Sequence, residues 1–177
     1  MDRRVVVTGL GAITPIGNNV EESWNGIKTG KCGVDEITLF DTTDFKVKIA
    51  AEVKNFNPEE YFDRKTAKRQ DRFSHFALIA AREAMKDSGI DMEKIDKTRF
   101  GVAISTGIGG LQSIEDNKQI CIEKGPDRVS PMFIPMAISN MASGNVSIEI
   151  GAKRRKLFSC NCMRKRNSFN RRRIQND

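Results

Sequence analysis

The chain has 177 residues, of which 38% are hydrophobic, 30% are charged and 7% are aromatic. Its length fits one domain at ~100–200 residues per domain, and no apolar run approaches the ~20 residues that a membrane-spanning helix needs. The apolar stretch near the start is too short for a signal peptide, and four irregularly spaced cysteines do not make a disulfide framework. We therefore expect a cytoplasmic protein with free thiols and no membrane contact.

The formal charge of +7 is typical of proteins that bind nucleic acid or anionic surfaces, but its distribution is uneven. Residues 154–177 contain nine lysines and arginines and one acid, Asp177. The first 153 residues keep 21 of the 30 basic and 22 of the 23 acidic residues. The composition thus predicts a nearly neutral domain, residues 1–153, followed by a disordered basic tail, residues 154–177.

In the first half of the chain, predicted strands and helices are separated by glycine-rich turns. Residues 5–7 are all valine and precede a glycine loop, which indicates a strand buried on both faces. Residues 20–27 fit a short helix with Trp24 on its inner face. An apolar stripe predicts a long helix over 64–88, with Gly89 as its C-terminal cap.

The second half continues the same alternation. Residues 100–104 predict a second buried strand, and the glycine loop that follows, 105–110, is expected to line a pocket with its backbone. We predict a helix over 111–122 and an extended segment over 130–135, where two prolines disfavour a helix. Helical patterns return at 136–141 and 146–150, with Gly151 at the end. Strands that alternate with helices favour an α/β fold with a mainly parallel sheet.

Five cations lie at the start of the predicted long helix. They are Arg64, Lys65, Lys68, Arg69 and Arg72. One interpretation is a solvated face balanced by Asp63 and Asp71, and the other is a docking surface for an acidic partner. Spacing alone leaves both interpretations open.

Other motifs argue against common kinds of site. Gly9 and Gly11 follow the first predicted strand, but the third glycine of a dinucleotide-binding loop is replaced by Thr14. His75 is the only histidine and lies among apolar helix positions, so we expect it to pack in the core. Without a cluster of cysteines and histidines, a zinc site is not expected.

Several segments together resemble the N-terminal part of the elongating β-ketoacyl-[acyl-carrier-protein] synthases of type II fatty-acid synthesis. The resemblance runs in order and spacing from Arg3 to Lys153. It is carried by 4–11 and 14–17, by Gln70-Asp71-Arg72-Phe73 with 80–84, by the loop 107–110, and by 130–135 with 140–144.

This resemblance implies a thiolase-like α/β fold, of which the chain would supply only the N-terminal portion of the first α/β half, and a homodimer in the full-length family. The implied reaction condenses an acyl thioester with malonyl-[acyl-carrier protein], through a cysteine nucleophile and two histidines and without a metal or organic cofactor. By position, Ile108 would line and gate the acyl pocket, and Phe133 would lie at the dimer interface. Lys65, Lys68 and Arg69 would bind acyl carrier protein.

The resemblance stops after Lys153, where the family continues toward a Thr-Ala-Cys-Ala segment that contains the nucleophile. One extra base read at the Lys153 codon would make the tail out of frame. The last two bases of each tail codon, joined to the first base of the next, would then restore the original codons. Asn161 with Cys162 permits threonine, Cys162 with Met163 permits alanine, and the single Met163 codon with a suitable Arg164 codon gives cysteine.

We therefore expect an inactive, truncated chain without the nucleophile and without either catalytic histidine, in which apolar faces are left uncovered. Two alternatives of other classes remain open. One is a non-catalytic protein that binds carrier protein or a full-length synthase. The other is a nonspecific, salt-sensitive nucleic-acid binder that uses the basic tail. The tail has no recognition module, so we expect no specific nucleic-acid partner.

The frameshift is testable at the level of the gene. Sequencing across codon 153 is expected to show that a one-base shift restores the family's active-site segment downstream. If no one-base shift restores it, the proposed frameshift is wrong.

Overall fold

The structure of the protein, a computed structural model, describes residues 4–154 and the backbone of residues 157–160. The described chain divides into two compact units. The first unit comprises Glu59–Leu78, the described residues from Ile90 onward and the N-terminal residues up to Val6. The second unit comprises Val7–Pro58 and Ile79–Gly89. The following elements are described in chain order: α1 Val20–Lys28, β1 Asp35–Glu36, β2 Ile49–Ala50, a 3₁₀ turn Pro58–Glu60, α2 Arg64–Lys68, α3 Arg72–Ser88, β3 Ala103–Thr106, α4 Leu111–Lys124, a 3₁₀ turn Pro126–Arg128, α5 Phe133–Ala137, α6 Met141–Ile150 and β4 Leu157–Cys160.

Helix α1 in the second unit confirms the helix predicted over 20–27, but its inner face differs from the prediction. Trp24 is 58% exposed, and the buried positions of the helix are Ser23 and Gly26. The Ser23 hydroxyl lies 2.9 Å from the Thr14 hydroxyl, and a Cβ at Gly26 would lie 3.2 Å from Ile16. Small residues let this face approach the preceding loop, so the large indole lies on the opposite side.

The glycine loop after Val7 packs on the C-terminal half of α3. A Cβ at Gly9 would come within 2.3 Å of the Ala84 carbonyl oxygen, and one at Gly11 within 1.8 Å of the Ala80 carbonyl oxygen. Side chains at these two positions would therefore separate the loop from the helix. The two glycines therefore permit close backbone packing. They are not part of a dinucleotide-binding loop, whose third glycine is replaced here by Thr14.

The valine run is not the buried strand that we predicted. Val5, Val6 and Val7 are 69%, 60% and 79% exposed, and none of them belongs to a strand. A strand buried on both faces needs paired neighbours and covering layers. Among the described residues, β3 pairs only with β4 and β1 only with β2, so no described strand provides that neighbour.

The helix predicted over 64–88 is divided into α2 and α3 by residues 69–71. The Asp71 carbonyl oxygen accepts the N–H groups of Ser74 and His75 at 2.9 and 3.2 Å, which begins the second helix. Gly89 has a positive φ of 63° after the end of α3, and this confirms the predicted glycine cap. The apolar stripe was correctly assigned, but periodicity did not reveal the interruption.

The described sheet pairs are short. β3 pairs in parallel with β4, from Ala103 opposite Leu157 to Thr106 opposite Cys160, whereas β1 and β2 are antiparallel. β3 begins later than the strand predicted over 100–104. The Arg99 and Phe100 N–H groups donate to carbonyl oxygens three residues earlier, so a turn occupies the predicted start of the strand.

The segment predicted to be extended over 130–135 contains the start of a helix instead. α5 covers Phe133–Ala137, with Pro135 in its first turn. Proline is tolerated there because the first N–H groups of a helix have no partner within it. The helical pattern predicted over 136–141 is interrupted at 138–140. α6 confirms the helix predicted over 146–150, and Gly151 ends it with φ 71°.

His75 packs in the core of the first unit, as predicted. Its residue is 4% exposed, and its ring centroid lies 5.2 Å from that of Phe62. Burial lowers the pKa of His75 below its ordinary value, and this effect outweighs the opposing hydrogen bond with the Ala67 backbone and the charge of Asp71. His75 is therefore held in its neutral form near pH 7.

No helix in residues 4–154 has both the length and the apolar character required to cross a membrane.

The lowered pKa of His75 predicts a pH dependence of stability. The unfolded chain takes up the proton more readily, near the ordinary histidine pKa of about 6.5. The free energy of unfolding should therefore fall as the pH drops below that value and be fully retained above it. Urea unfolding between pH 5 and 8 measures this slope, and His75→Gln should flatten it. An unchanged slope in the variant would show that His75 is not its source.

Candidate functional site

The three cations predicted to bind carrier protein lie on one short, capped segment. The Asp63 carboxylate accepts the N–H groups of Lys65 and Thr66 at 2.9 and 3.0 Å, which caps α2 at its N-terminus. The hydrogen bond from the Thr66 hydroxyl, at 2.6 Å, is the largest cause of the lowered pKa of Asp63. Lys65 and Lys68 are on α2, Arg69 follows it, and all three residues are exposed.

The other two cations of the cluster have partners within the first unit. Arg64 pairs with the Glu59 carboxylate at 3.9 Å, and the Arg72 guanidinium lies 5.0 Å from the centroid of the Phe76 ring. These contacts separate the cluster into cations with described partners and the three exposed residues of the predicted docking surface.

The break between α2 and α3 contains a buried carboxylate, Asp71. This residue is 8% exposed, and one of its carboxylate oxygens accepts both the Ser113 N–H at 3.1 Å and the Ser113 hydroxyl at 2.5 Å. The residue before α4 is Gly110, which has no side chain to cap the helix. Asp71 therefore supplies the capping oxygen and the negative charge that a helix N-terminus favours.

The same carboxylate packs against the glycine loop that precedes α4. A Cβ at Gly110 would lie 2.6 Å from an Asp71 oxygen, and a Cβ at Gly109 would lie 2.6 Å from the Ala137 carbonyl oxygen. That carbonyl oxygen accepts the Gly110 N–H at 3.0 Å, and the Thr106 hydroxyl accepts the Gly109 N–H at 2.9 Å. The loop needs glycine because its backbone packs directly on Asp71 and on the end of α5.

A second buried polar residue, Asn117, joins α4 to the start of α5. Its side-chain N–H donates to the Ser113 carbonyl oxygen at 2.8 Å, and its side-chain oxygen accepts the Ser130 N–H at 3.1 Å. The Ser130 carbonyl oxygen in turn accepts the Phe133 N–H at 2.9 Å. Asp71, Ser113 and Asn117 thus form a buried network that joins the segments carrying the predicted site residues.

Ile108, the predicted pocket residue, and Phe133, the predicted interface residue, differ in their exposure. Ile108 is 60% exposed in the glycine loop, and Phe133 is half-buried at the start of α5. Their segments meet where Gly110 contacts the backbone of Ala137. The structure thereby joins the segments of Ile108 and Phe133, while Lys65, Lys68 and Arg69 remain on a separate exposed segment.

Sequence reasoning missed Asp71, Ser113 and Asn117 as positioning residues. The available signal was a pair of small polar residues four positions apart on α4, together with a helix start that lacks a capping side chain. From the sequence, Asp71 is expected to balance the charge of the neighbouring cations. Its burial places it in the interior instead.

Among the described residues, no group of three or more histidines, cysteines, aspartates and glutamates could hold a metal ion. Cys32 and Cys121 are free and exposed. The side chains of Cys160 and Cys162 lie outside the described part of the chain.

Comparison with known proteins identifies the family of this chain. The family model described as "Beta-ketoacyl synthase, N-terminal domain" matches residues 2–156. A relative named 3-oxoacyl-[acyl-carrier-protein] synthase 2, from Staphylococcus aureus (strain COL), is 48% identical over 152 residues, which cover 86% of this chain. The protein of the same name from Synechocystis is 49% identical over 151 residues, 85% of this chain. The chain spans only 37% and 36% of the lengths of these two relatives.

Solved structures give the same fold. The ishigamide ketosynthase/chain length factor superposes with a TM-score of 0.79 at 27% identity, over 89% of this chain and 40% of its own. A β-ketoacyl synthase from Burkholderia phymatum superposes with a TM-score of 0.70 at 22% identity, over 88% of this chain and 39% of its own. The predicted thiolase-like α/β fold is confirmed, as the N-terminal portion of a ketosynthase.

Removing the Asp71 carboxylate should destabilise the first unit. Asp71→Ala leaves the Ser113 N–H and hydroxyl without their acceptor, and loss of such a cap costs about 1–2 kcal/mol. Ser113→Ala keeps the backbone bond and should cost less. Urea unfolding of both variants measures these differences, with the exposed Asp127→Ala as the control. A loss for Asp71→Ala no larger than for the control would contradict this role.

Proposed function

The chain belongs to the β-ketoacyl synthase family, and from that premise we propose that residues 1–153 are the N-terminal part of a synthase for fatty-acid elongation. The proposed reaction of the whole protein joins an acyl thioester to malonyl-[acyl-carrier protein]. The proposal is supported by 48% identity to proteins whose name states synthesis on acyl carrier protein. The chain spans about a third of their length, so the complete reaction belongs to the complete protein.

The proposed contribution of this chain is to bind acyl carrier protein through Lys65, Lys68 and Arg69. The observation that carries this proposal is the exposure of all three cations on one capped segment, beside two cations that already have partners. Clustered positive charge accelerates encounter with an acidic protein and helps to orient it. The alternative of a merely solvated face predicts no such partner.

We also propose roles for Ile108 and Phe133. Ile108 presents an apolar side chain at the tip of a loop that its glycines hold tightly against α5 and Asp71. That position suits a residue that lines and gates an acyl pocket completed by other parts of a full-length synthase. Phe133, half-buried at the start of α5, suits the interface of a homodimer.

These 177 residues are not proposed to catalyse condensation by themselves. We propose that residues 154–177 are out of frame and so replace the segment in which the family has its nucleophilic cysteine. The one histidine in the sequence, His75, is packed against Phe62 with a lowered pKa and is unsuited to the role of an exposed catalytic base. No metal or organic cofactor is part of the proposed reaction, and its proposed location is the cytoplasm.

The exposed apolar side chains support a chain that lacks part of its packing. Val5, Val6, Val7 and Trp24 are each more than half exposed, although large apolar residues are usually covered in a complete domain.

A second candidate function is a non-catalytic protein that binds carrier protein or associates with a full-length synthase. The same exposed cations favour it, because docking requires no nucleophile. Binding of carrier protein does not distinguish this function from that of a condensing enzyme, whereas an assay of condensation activity does.

The docking surface is testable by charge reversal in the full chain. Lys65→Glu, Lys68→Glu and Arg69→Glu together should weaken the binding of acyl carrier protein by tenfold or more, since each reversal replaces attraction with repulsion (a tenfold loss is about 1.4 kcal/mol). The affinity is measured by isothermal titration calorimetry at low and moderate salt.

The matched control reverses three exposed cations elsewhere in the first unit, Lys118, Lys124 and Arg128. The control should bind like the unaltered chain. An equal loss in both triple variants would indicate nonspecific attraction and contradict the docking surface. In the same preparations, an assay with acyl- and malonyl-carrier protein should give no condensation product, and product formation would overturn the proposed inactivity.

A further inference from the structure

The break between α2 and α3, residues 69–71, connects the proposed docking surface to the interior of the first unit. Arg69 is exposed and belongs to the docking surface, whereas Asp71 is 8% exposed and bonded to Ser113. Since an extended chain advances at most about 3.6 Å per residue, the backbones of Arg69 and Asp71 lie within roughly 7 Å of each other. A displacement of Arg69 therefore acts directly on the backbone of Asp71.

The middle residue of the break, Gln70, has an unfavourable environment. Its side-chain oxygen is buried and accepts no hydrogen bond from any residue that the structure describes. A buried acceptor without a donor loses its hydration and gains no hydrogen bond in exchange. This oxygen therefore favours a second arrangement of the break, in which it reaches solvent or a donor. That arrangement competes with the one in which Asp71 is bonded to Ser113.

Close packing relates the position of Asp71 to that of the glycine loop. The carboxylate oxygen that accepts both Ser113 hydrogen bonds also packs on Gly110, where an added Cβ would lie 2.6 Å from it. The loop is held at the same residue by the Ala137 carbonyl oxygen, which accepts the Gly110 N–H at 3.0 Å. Because the loop packs closely on both groups, it has to rearrange when the carboxylate moves. Ile108 lies two residues before Gly110 and moves with the loop.

We propose that the break couples the docking surface to the glycine loop. An acidic partner bound to the docking surface draws the break outward, weakens the contact between Asp71 and Ser113 and releases the loop that carries Ile108. The inference rests on the proposed function, in which acyl carrier protein is that partner. Asp71 is then a positioning residue that acts through the loop, and Gln70 favours the released arrangement. The coupling is reciprocal, so a ligand that holds the loop also changes the affinity for carrier protein.

The test is hydrogen exchange of the full chain, alone and with a saturating concentration of purified acyl carrier protein, measured by mass spectrometry. The amides of Gly109, Gly110 and Ser113 have the hydrogen bonds that hold the loop. They should exchange about fivefold faster or more in the complex, the low end of typical coupling between two sites. A partner that only covered the loop would slow their exchange instead. Unchanged or slower exchange, relative to α1 in the second unit, would overturn the inference.

Variants within the first unit test the path. Gln70→Leu replaces the unpaired oxygen with an apolar group of similar size, so the acceleration should fall to less than about half of its value in the unaltered chain. The matched control, Gln119→Leu, alters an exposed glutamine on α4 and should keep the full acceleration. Equal acceleration in these two variants would overturn the inference.

A further variant, Ser113→Ala, removes the hydroxyl bond to Asp71 but keeps the backbone bond. Exchange at the loop should be faster in this variant even without carrier protein, and docking should accelerate it less than in the unaltered chain. An exchange rate equal to that of the unaltered chain, both with and without carrier protein, would contradict the role of this contact.

The charge-reversed triple variant of the docking surface separates this inference from the proposed function. It should lose both the binding of carrier protein and the faster exchange at the loop. If carrier protein binds the unaltered chain and the exchange does not respond, the coupling is wrong and the docking surface is retained. If carrier protein does not bind the unaltered chain, the docking surface and the coupling are both overturned.

Discussion

The contact between the Asp71 carboxylate and Ser113 determines how the first unit is arranged around its candidate site. A single buried oxygen accepts two hydrogen bonds at the start of α4, where Gly110 cannot cap the helix itself. A buried carboxylate requires such partners, because unpaired burial of its charge is costly. Asp71 therefore makes three features depend on one another: the break between α2 and α3, the glycine loop and the start of α4.

Helices were predictable wherever local pattern and packing agree. The stripe of α3, its glycine cap and the end of α6 at Gly151 follow from residue spacing and backbone freedom alone. The break at 69–71 was not predictable in this way, because it depends on a partner, Ser113, that is 42 positions from Asp71 along the chain. The extended segment predicted over 130–135 was wrong for a different reason. Proline disfavours the interior of a helix but is tolerated in the first turn, where Pro135 lies in α5.

The candidate site was predictable only in part. Exposure of Lys65, Lys68 and Arg69 follows from their charge, and the resemblance supplied their proposed partner. The four-residue spacing of Ser113 and Asn117 on α4 was a local signal for part of the buried polar network. The other hydrogen bonds of the network, between Asp71 and Ser113 and between Asn117 and Ser130, join residues 42 and 13 positions apart and could not be derived from local spacing. The valine run shows the opposite failure, since strand propensity is not sufficient without a neighbouring strand to pair with.

β4 lies beyond Lys153, where the proposed loss of reading frame occurs, and yet it pairs in parallel with β3. Pairing of strands uses N–H and C=O groups that nearly every residue carries, whereas a nucleophile requires one particular side chain. After a loss of reading frame, strand pairing can thus persist where the catalytic side chain is already absent. Backbone pairing can therefore continue for a few residues beyond the point at which the side chains needed for catalysis are lost. Similarity of fold to a family of enzymes is evidence of common descent, but it is weaker evidence that a chain is catalytically active.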